Sequence, residues 1–270
     1  MHKSLSLPAA ASVVALCLTV PALAADYDLP VLEHAPHLRP VEIGSGWYLR
    51  GDIGYNVSTR PEGDFTYRTF DVGTYSSHTA ASANLSDEFT FGLGVGYSFT
   101  DMLRADVTVD RLSSTFTGSG PCDASLGPAC RTEGEADLAA YAVMANAYVD
   151  LGTFVGFTPY VGAGLGYTYL HWDDLRSRNF CGGVPCVANP GATHPGESDW
   201  RFTYALMAGL TYDISDNMKV DLGYRYMKID DGDMFGWDAA SATAGATGLQ
   251  GQDPGFSTHE VRLGLRLELW

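Results

Sequence analysis

Apolar and polar residues alternate with a period of two in a series of segments along this chain, and this feature limits the fold most. The last segment is the clearest example, with apolar Val261, Leu263, Leu265, Leu267 and Leu269 against Glu260, Arg262, Gly264, Arg266 and Glu268. Successive side chains of a β-strand point to opposite sides. The pattern therefore predicts strands with one apolar face and one polar or small face.

Segments of this kind follow one another from residue 46 to the end of the chain. We place them at 46–57, 87–99, 103–116, 138–150, 159–172, 200–213, 219–229 and 258–269. Each is long enough to cross a membrane as a tilted strand, which needs about 9–11 residues. The links alternate between short ones, such as 100–102 and 214–218, and long ones. We therefore predict an all-β fold, a closed antiparallel transmembrane β-barrel of eight strands, with short periplasmic turns and four long outer loops.

The N-terminus predicts export. Lys3 supplies a positive charge, an apolar stretch covers residues 5–20, and Pro21-Ala22-Leu23-Ala24 ends in the small-x-small pattern that signal peptidase recognises. We expect a signal peptide at residues 1–24, an irregular proline-containing leader at 25–45 and the barrel domain at 46–270. No later run approaches the ~20 apolar residues of a membrane-spanning helix.

Composition agrees with a β-rich fold, and the net charge limits which kinds of partner the protein can bind. The chain has 31 Gly, 15 Tyr and 12 Phe in 270 residues, which suits strands and tight turns. It has 32 acidic residues against 16 Lys plus Arg, a formal net charge of -16. Such a charge disfavours a nucleic-acid partner.

A soluble β-sandwich also alternates, so it is the main alternative fold. A sandwich buries its apolar face, whereas the polar faces here combine many glycines with charges of both signs. A filled barrel interior explains that combination better.

The polar faces carry the main candidate site. Charges of both signs fall at similar depths on neighbouring strands, and an eight-stranded barrel is just wide enough for side chains to fill it. We predict a structural charge network in the lumen, since buried charges persist when paired; the other interpretation is an ion path or gate. Its members are Arg50, Asp52, Arg104, Asp106, Asp110, Lys219, Asp221, Arg225, Glu260, Arg262, Arg266 and Glu268.

Four cysteines follow the signal segment, two in each of two long loops. Export places them in an oxidising compartment, so we predict the local disulfides Cys122–Cys130 and Cys181–Cys186. Pairing between the loops, such as Cys122 with Cys186, remains open. The spacing does not match a zinc site, and we expect no metal and no cofactor.

One group of residues is a candidate for a catalytic site, Ser257 with His259 and Glu260. A nucleophilic serine needs an imidazole that is itself oriented by a third group. Glu260 points to the opposite face of the strand from Ser257 and His259, so it cannot orient that imidazole. We expect no enzyme activity. The acidic loop at residues 230–256 lacks the later carboxylates of an EF-hand and is interpreted as a solvated loop.

Three segments resemble a known family. PYVGAGLGY at 159–167, VDLGYRY at 220–226 and HEVRLGLR at 259–266 are similar to strand signatures of the porin-like, opacity-type (OmpA-like) eight-stranded outer-membrane β-barrels of alpha-proteobacteria. The resemblance implies the fold and an assembly signal at the C-terminus, but little about activity. Family members usually end on an aromatic residue in register with the lipid face. Here Leu269 holds that register and Trp270 is one residue further on, so recognition uses either Leu269, with Trp270 tolerated, or a shifted alignment. The signal is assigned to Gly264, Leu267, Leu269 and Trp270.

These observations favour a non-catalytic surface barrel in the Gram-negative outer membrane, for envelope integrity and surface interaction through its loops. A narrow channel for small solutes or ions is the alternative. The expected partners are outer-membrane lipid and lipopolysaccharide, the barrel assembly machinery, and host or phage surfaces. The loops suit protein contacts because they mix acidic residues with the aromatic residues Phe65, Tyr67, Phe70, Tyr75, Phe180, Phe235 and Trp237.

Overall fold

The computed structural model describes residues 46–71, 73–122, 129–187 and 189–269. The expected signal peptide, the leader and Trp270 lie outside this described part. Within it, no helix combines the length and the apolarity needed to cross a bilayer.

The described chain is almost entirely β-structure. In chain order it forms β1 (Gly46–Pro61), β2 (Thr66–Asp71), β3 (Thr74–Thr79), β4 (Ser82–Leu85), β5 (Phe89–Ser98), β6 (Leu103–Pro121), β7 (Cys130–Asp150), β8 (Phe157–Trp172), β9 (Leu175–Cys181), β10 (Val184–Pro185), β11 (Thr193–His194), β12 (Ser198–Ser215), β13 (Met218–Ile229), β14 (Gly232–Phe235), α1 (Ala239–Thr243), β15 (Gly251–Asp253) and β16 (Phe256–Glu268).

The long strands form a ring of antiparallel pairs. β1 pairs with β5, and pairing continues through β6, β7, β8, β12, β13 and β16, which pairs again with β1. This confirms the predicted all-β antiparallel architecture. Three short connections, at 99–102, 151–156 and 216–217, mark what we call the turn end of the ring. The opposite end, where the long connections lie, is the loop end.

The two faces of the ring strands follow the predicted alternation. On β5, Phe91 and Leu93 point outward and are 57 % and 73 % exposed, whereas Thr90 points inward and is fully buried. On β16, Leu263 is 51 % exposed and Glu260 is fully buried. The outward face is therefore an apolar surface and the inward face carries the polar side chains, as expected for strands in lipid.

Several strands are longer than the sequence predicts. β6 has 19 residues and β7 has 21, and their pairing continues beyond the expected ends to Pro121 opposite Arg131. The extension was missed because both faces are polar or small there, at Thr117, Gly118 and Ser119, so apolar alternation stops while pairing goes on.

A second sheet is built from residues expected to be loops. β14, β15, β2 and β3 pair in that order at the loop end, and we call this sheet the platform. Beneath it lies an apolar core of buried aromatic side chains, with Phe116 packed against Phe65, Trp172 and Phe235. The expected irregular loops one and four are therefore partly ordered β-structure.

Candidate functional site

The centre of the ring interior holds a four-membered charge cluster. Arg225 donates to Asp110 at 2.8 Å and to Glu260 at 2.7 Å, and Arg262 contacts the same two carboxylates. Asp110 and Glu260 are fully buried. Each carboxylate thus meets two guanidinium groups, which is the arrangement that lets buried charges persist.

Further ion pairs continue the cluster toward β6 and β7. Arg262 lies 3.8 Å from Asp52, Asp52 accepts from Arg50 at 2.7 Å, and Arg50 donates to Asp106 at 2.9 Å. The amide of Asn146 donates to the other oxygen of Asp106 at 2.8 Å. Charges of both signs are therefore linked in one continuous network.

A separate group of charges lies nearer the turn end. Arg266 is 3.5 Å from Asp221 and 3.8 Å from Glu268. Arg104 pairs with Asp150 at 3.1 Å, and its guanidinium lies 4.1 Å from the centre of the Tyr148 ring and 4.9 Å from that of Tyr160. Lys219 binds Asp213 at 2.9 Å at this end and is only half-buried.

Sequence reasoning missed Asp150 and the tyrosines of this interior. Asp150 shares the inward face of β7 with Asn146 and Tyr148, so period two places it there once the face is known. Tyr148 and Tyr48 were missed because an inward tyrosine resembles a lipid-facing one in sequence. In the structure each hydroxyl contacts the network, Tyr148 at Arg50 and Tyr48 at Asp106.

Glycines on the inward faces leave room for these large side chains. A Cβ at Gly96 would collide with the Tyr48 ring, and one at Gly162 would collide with Tyr148. Glycines at alternate positions of these strands therefore make space for interior side chains. Within the described part the strands continue past them, with no helix directly after them as a phosphate-binding loop would require.

A cavity of about 400 Å³ lies at the loop end. Its walls combine platform residues with the extended parts of β6, β7 and β9, including Phe65, Phe116, Phe235 and Trp237. The guanidinium of Arg68 lies 5.5 Å from the centre of the Trp237 ring and 5.3 Å from that of Tyr75. The platform is thus a packed surface with aromatic and charged groups held in place.

One buried ion pair ties the platform to the ring. Asp253 of β15 is 3 % exposed, and both its oxygens accept from Nη1 of Arg201 on β12 at 2.7 Å. Burial raises the pKa of Asp253 to about 6, although Arg201 and the Gly255 amide favour the charged form. The expectation of a wholly solvated acidic loop is therefore wrong for Asp253, because the loop folds back as β15 over the end of β12.

The cysteines form two adjacent disulfides. Cys122 is bonded to Cys130, and Cys181 to Cys186. Cys130 and Cys181 lie directly opposite each other in the pairing of β7 with β9. Two connections of the loop end therefore carry their disulfides side by side.

The serine and histidine near the start of β16 do not form a catalytic group with Glu260. Both oxygens of Glu260 bind arginines inside the ring, while Nδ1 of His259 contacts the hydroxyl of Tyr224 on the outward face. A general base oriented by this carboxylate is thus excluded by the geometry.

Three residues of the predicted assembly signal lie within the described part. Leu267 and Leu269 share the outward face at the turn end, 42 % and 36 % exposed, and Gly264 faces Asp52 inside the ring. The assignment of a signal to these residues and Trp270 stays a prediction.

Comparison with known proteins identifies a family and several similar proteins. The family model described as "Outer membrane protein beta-barrel domain" matches residues 10–266. An uncharacterized protein of Brucella suis is 36 % identical over 262 residues, covering 89 % of this chain and 91 % of its own. A Rickettsia bellii protein named "Putative adhesin" is 25 % identical and covers 83 % of this chain and 88 % of its own. Among solved structures, the outer membrane protein OprG from Pseudomonas aeruginosa matches with a TM-score of 0.49 at 15 % identity, covering 84 % of this chain and 96 % of that one.

Proposed function

Because this chain belongs to the outer membrane protein β-barrel domain family, we propose that its ring is a closed, eight-stranded barrel in the Gram-negative outer membrane, and that the barrel is non-catalytic. Its role is envelope integrity together with contact between its loop end and other surfaces. In this proposal the turn end faces the periplasm and the loop end faces outward, the layout usual for such barrels.

The ion pair between Arg225 and Asp110 carries this proposal. β13 and β6 lie on opposite sides of the ring, with three strands between them in either direction. Their 2.8 Å contact therefore crosses the interior. An open water-filled pore at this level needs that pair separated, so the contact favours a filled interior over the alternative of a narrow solute or ion channel.

The loop end supports the contact role. β6 and β7 are longer than the ~9–11 residues that a membrane strand needs. Their extra residues are paired at the loop end, where the platform covers them. A preordered surface loses less conformational entropy on binding than a mobile loop does. One relative is named as an adhesin. We propose host or phage surfaces as partners there, with lipid and lipopolysaccharide around the barrel and the barrel assembly machinery at its C-terminal strand.

Shortening the loop-end elements one connection at a time tests the proposal. Each variant replaces one of the four long connections by a short turn, and a heat-modifiable band on a gel shows that the barrel still forms. The matched control is Arg225→Lys, which changes the interior and leaves the loop end intact. We expect whole-cell binding or phage adsorption to be lost in at least one shortened variant and retained in the control.

The opposite pattern contradicts the proposal. If all four shortened variants keep every surface phenotype while interior variants lose solute uptake, the channel function replaces the surface function.

A further inference from the structure

The platform has one covered edge and one open edge. Its strands lie in the order β14-β15-β2-β3, so β14 and β3 are the two edges. The chain before β12 covers β14, because the amide of Glu197 donates to the carbonyl of Met234 at 2.9 Å and Gly196 forms a β-bridge with Phe235. β3 pairs with β2 alone within the described part of the chain. The open edge of the platform is therefore β3.

The hydrogen bonds of the hairpin of β2 and β3 show which backbone groups point to the open edge. The amide of Ala80, directly after β3, donates to the carbonyl of Phe65 at 2.9 Å, so Ala80 points toward β2. On the other side of β2, the amide of Arg68 donates to the carbonyl of Gln250 at 2.8 Å, which fixes the same alternation. In an antiparallel pair, the amide and carbonyl of one residue point to the same side and successive residues alternate. The backbone groups that point away from β2 therefore belong to Tyr75, Ser77 and Thr79.

These outward backbone groups are open to a partner. Within the described ranges, no hydrogen bond satisfies the amides or carbonyls of Tyr75, Ser77 and Thr79. β3 has the sequence TYSSHT, and its residues are exposed except for the half-buried His78. It has no proline, acidic residue, Lys or Arg, which are the devices that natural proteins use to stop another strand from pairing with an edge. β3 is therefore an unprotected template for one more strand.

The charge around this edge is strongly negative. Residues 62–88 and 230–255, the two connections that build the platform, contain five Asp or Glu each and a single Arg between them. Asp71 is opposite Thr74 at the tip of the hairpin, and Asp64 lies at its base, just before β2. Both aspartates are exposed, and no ion pair joins either of them to another group of the described chain. An uncharged edge with a carboxylate near each end favours a segment that carries Lys or Arg on both sides of an uncharged stretch.

The same charges disfavour a second copy of the chain as the added strand. Antiparallel pairing of two β3 edges about Ser77 brings the end near Asp71 of one copy beside the end near Asp64 of the other. Like charges then approach each other at both ends of the contact, which is destabilising. A basic segment from a different protein meets opposite charges there instead.

We propose that β3 binds an extended, basic segment of another protein by strand addition, with the backbone of that segment hydrogen-bonded to Tyr75, Ser77 and Thr79. The inference deepens the proposed function by naming the chemistry of a loop-end partner, and it rests on that function for placing the platform outside the cell. In strand addition, main-chain hydrogen bonds provide the affinity. The Lys or Arg residues of the segment provide selectivity and faster association with the acidic platform.

Fluorescence anisotropy with labelled peptides and the purified full chain in detergent tests the proposal. The probe, called the Lys peptide, has a central stretch of alternating Thr and Val with two Lys at each end. A first comparison peptide carries N-methyl groups on all central backbone amides, so it cannot donate hydrogen bonds to β3. A second comparison peptide has Glu in place of every Lys.

Two substitutions at one position separate the backbone from the side chain. Ser77→Pro removes the central outward amide, and because that amide does not bond to β2, the hairpin loses no hydrogen bond; proline is tolerated on an edge strand when its nitrogen faces solvent. Ser77→Ala is the matched control, since it removes the hydroxyl and keeps the amide. A heat-modifiable band and unchanged protease cutting at the loop end show that a variant keeps the barrel and the platform.

We expect the wild type and Ser77→Ala to bind the Lys peptide equally, and Ser77→Pro to bind it about ten-fold more weakly. The N-methylated peptide and the Glu peptide should each bind the wild type about ten-fold more weakly than the Lys peptide does. Amide hydrogen exchange of residues 74–79 in the wild type should slow when the Lys peptide is bound.

Three results overturn the proposal. Equal binding of the Lys peptide by the wild type and a folded Ser77→Pro excludes strand addition at β3, as does equal binding of the N-methylated peptide. Equal binding of the Glu peptide excludes a basic partner. If Ser77→Pro loses the platform, the exchange measurement on the wild type decides, and unchanged exchange at residues 74–79 overturns the proposal.

Failure here is separable from failure of the proposed function. A heat-modifiable barrel whose loop end is labelled from outside the cell, but which does not bind the Lys peptide, contradicts only this inference. Labelling of the loop end from the periplasmic side alone contradicts the proposed function, whatever the peptides do in detergent.

Discussion

Arg225 and Asp110 form an ion pair across the interior of the ring, joining β13 to β6 over 115 residues of sequence. Both residues are almost completely buried, so their charges are satisfied inside this cluster, where Arg225 also pairs with Glu260 and Asp110 with Arg262. Their partners Glu260 and Arg262 depend on the same two groups. Stability and a filled interior therefore rest on the same side chains.

Replacing Arg225 by Ala should destabilise the barrel. The change leaves Asp110 and Glu260 with one arginine between them, and breaking a buried ion pair typically costs about 3–5 kcal/mol. The urea midpoint of unfolding, followed by loss of the heat-modifiable band, measures the effect. Arg178→Ala, at an exposed position, should change stability by about 0–1 kcal/mol. Equal midpoints for the two variants would show that the interior network contributes little.

Gly96 should tolerate no larger side chain. A Cβ at this position meets the ring of Tyr48, which is itself fully buried and bonded to Asp106. We expect Gly96→Val to fail to give the folded band after refolding into detergent. Gly51→Ala is the control, because its Cβ meets only Leu93 at an ordinary 3.6 Å. Normal folding of Gly96→Val would mean that Tyr48 can leave the interior.

Reduction of the disulfides should loosen the loop end without opening the barrel. The bonds span eight and five residues of sequence, so each restricts only a small ring of chain. Heat modifiability should persist after reduction while protease cutting near residues 122–130 and 181–186 increases. Loss of the folded band would contradict the local role.

The side-by-side position of the two bonds allows a sharper test. In a Cys122→Ser, Cys186→Ser double variant, the remaining Cys130 and Cys181 are directly opposite on paired strands. Antiparallel partners have Cα atoms about 4.5–5.5 Å apart, within the range of a disulfide. We expect a Cys130–Cys181 peptide in the unreduced digest. Two free thiols after air oxidation would show that the β7–β9 pairing differs from the one described.

The platform should become more stable at mildly acid pH. Burial raises the pKa of Asp253 to about 6, above the ordinary value of ~3.9 expected when the chain is unfolded. The folded form therefore holds this proton more tightly, and the associated stability is lost as the pH rises through 6. The urea midpoint followed by tryptophan fluorescence should be higher at pH 5 than at pH 7.5. Asp253→Asn stays neutral at both pH values, so the difference between the two urea midpoints should become smaller in this variant. An unchanged difference would show that Asp253 is not its source.

Much of the ring could be predicted from sequence because period two is a local property of the chain. The alternation in β16 identified its two faces, and the inward position of Glu260 and Arg262 followed from it. The same reasoning gave both members of the Arg225–Asp110 pair without showing that they meet, since contacts between opposite strands depend on closure and register.

The loop end could not be predicted in the same way. β2, β3 and β15 are short, and β15 reaches β2 across more than 180 residues of sequence, with Gly251 opposite Tyr67. No local pattern encodes such a pairing. Asp253 was assigned to solvent for the same reason, because its partner Arg201 lies on a distant strand.

Single-channel recording in a planar bilayer tests the central claim most directly. The wild-type protein, reconstituted in its heat-modifiable form, should show no discrete conductance steps, because Arg225 and Asp110 hold the interior closed. Steady, ion-selective channels from the wild type, with selectivity altered by Arg225→Ala or Glu260→Ala and stability unchanged, would contradict the account and establish a channel.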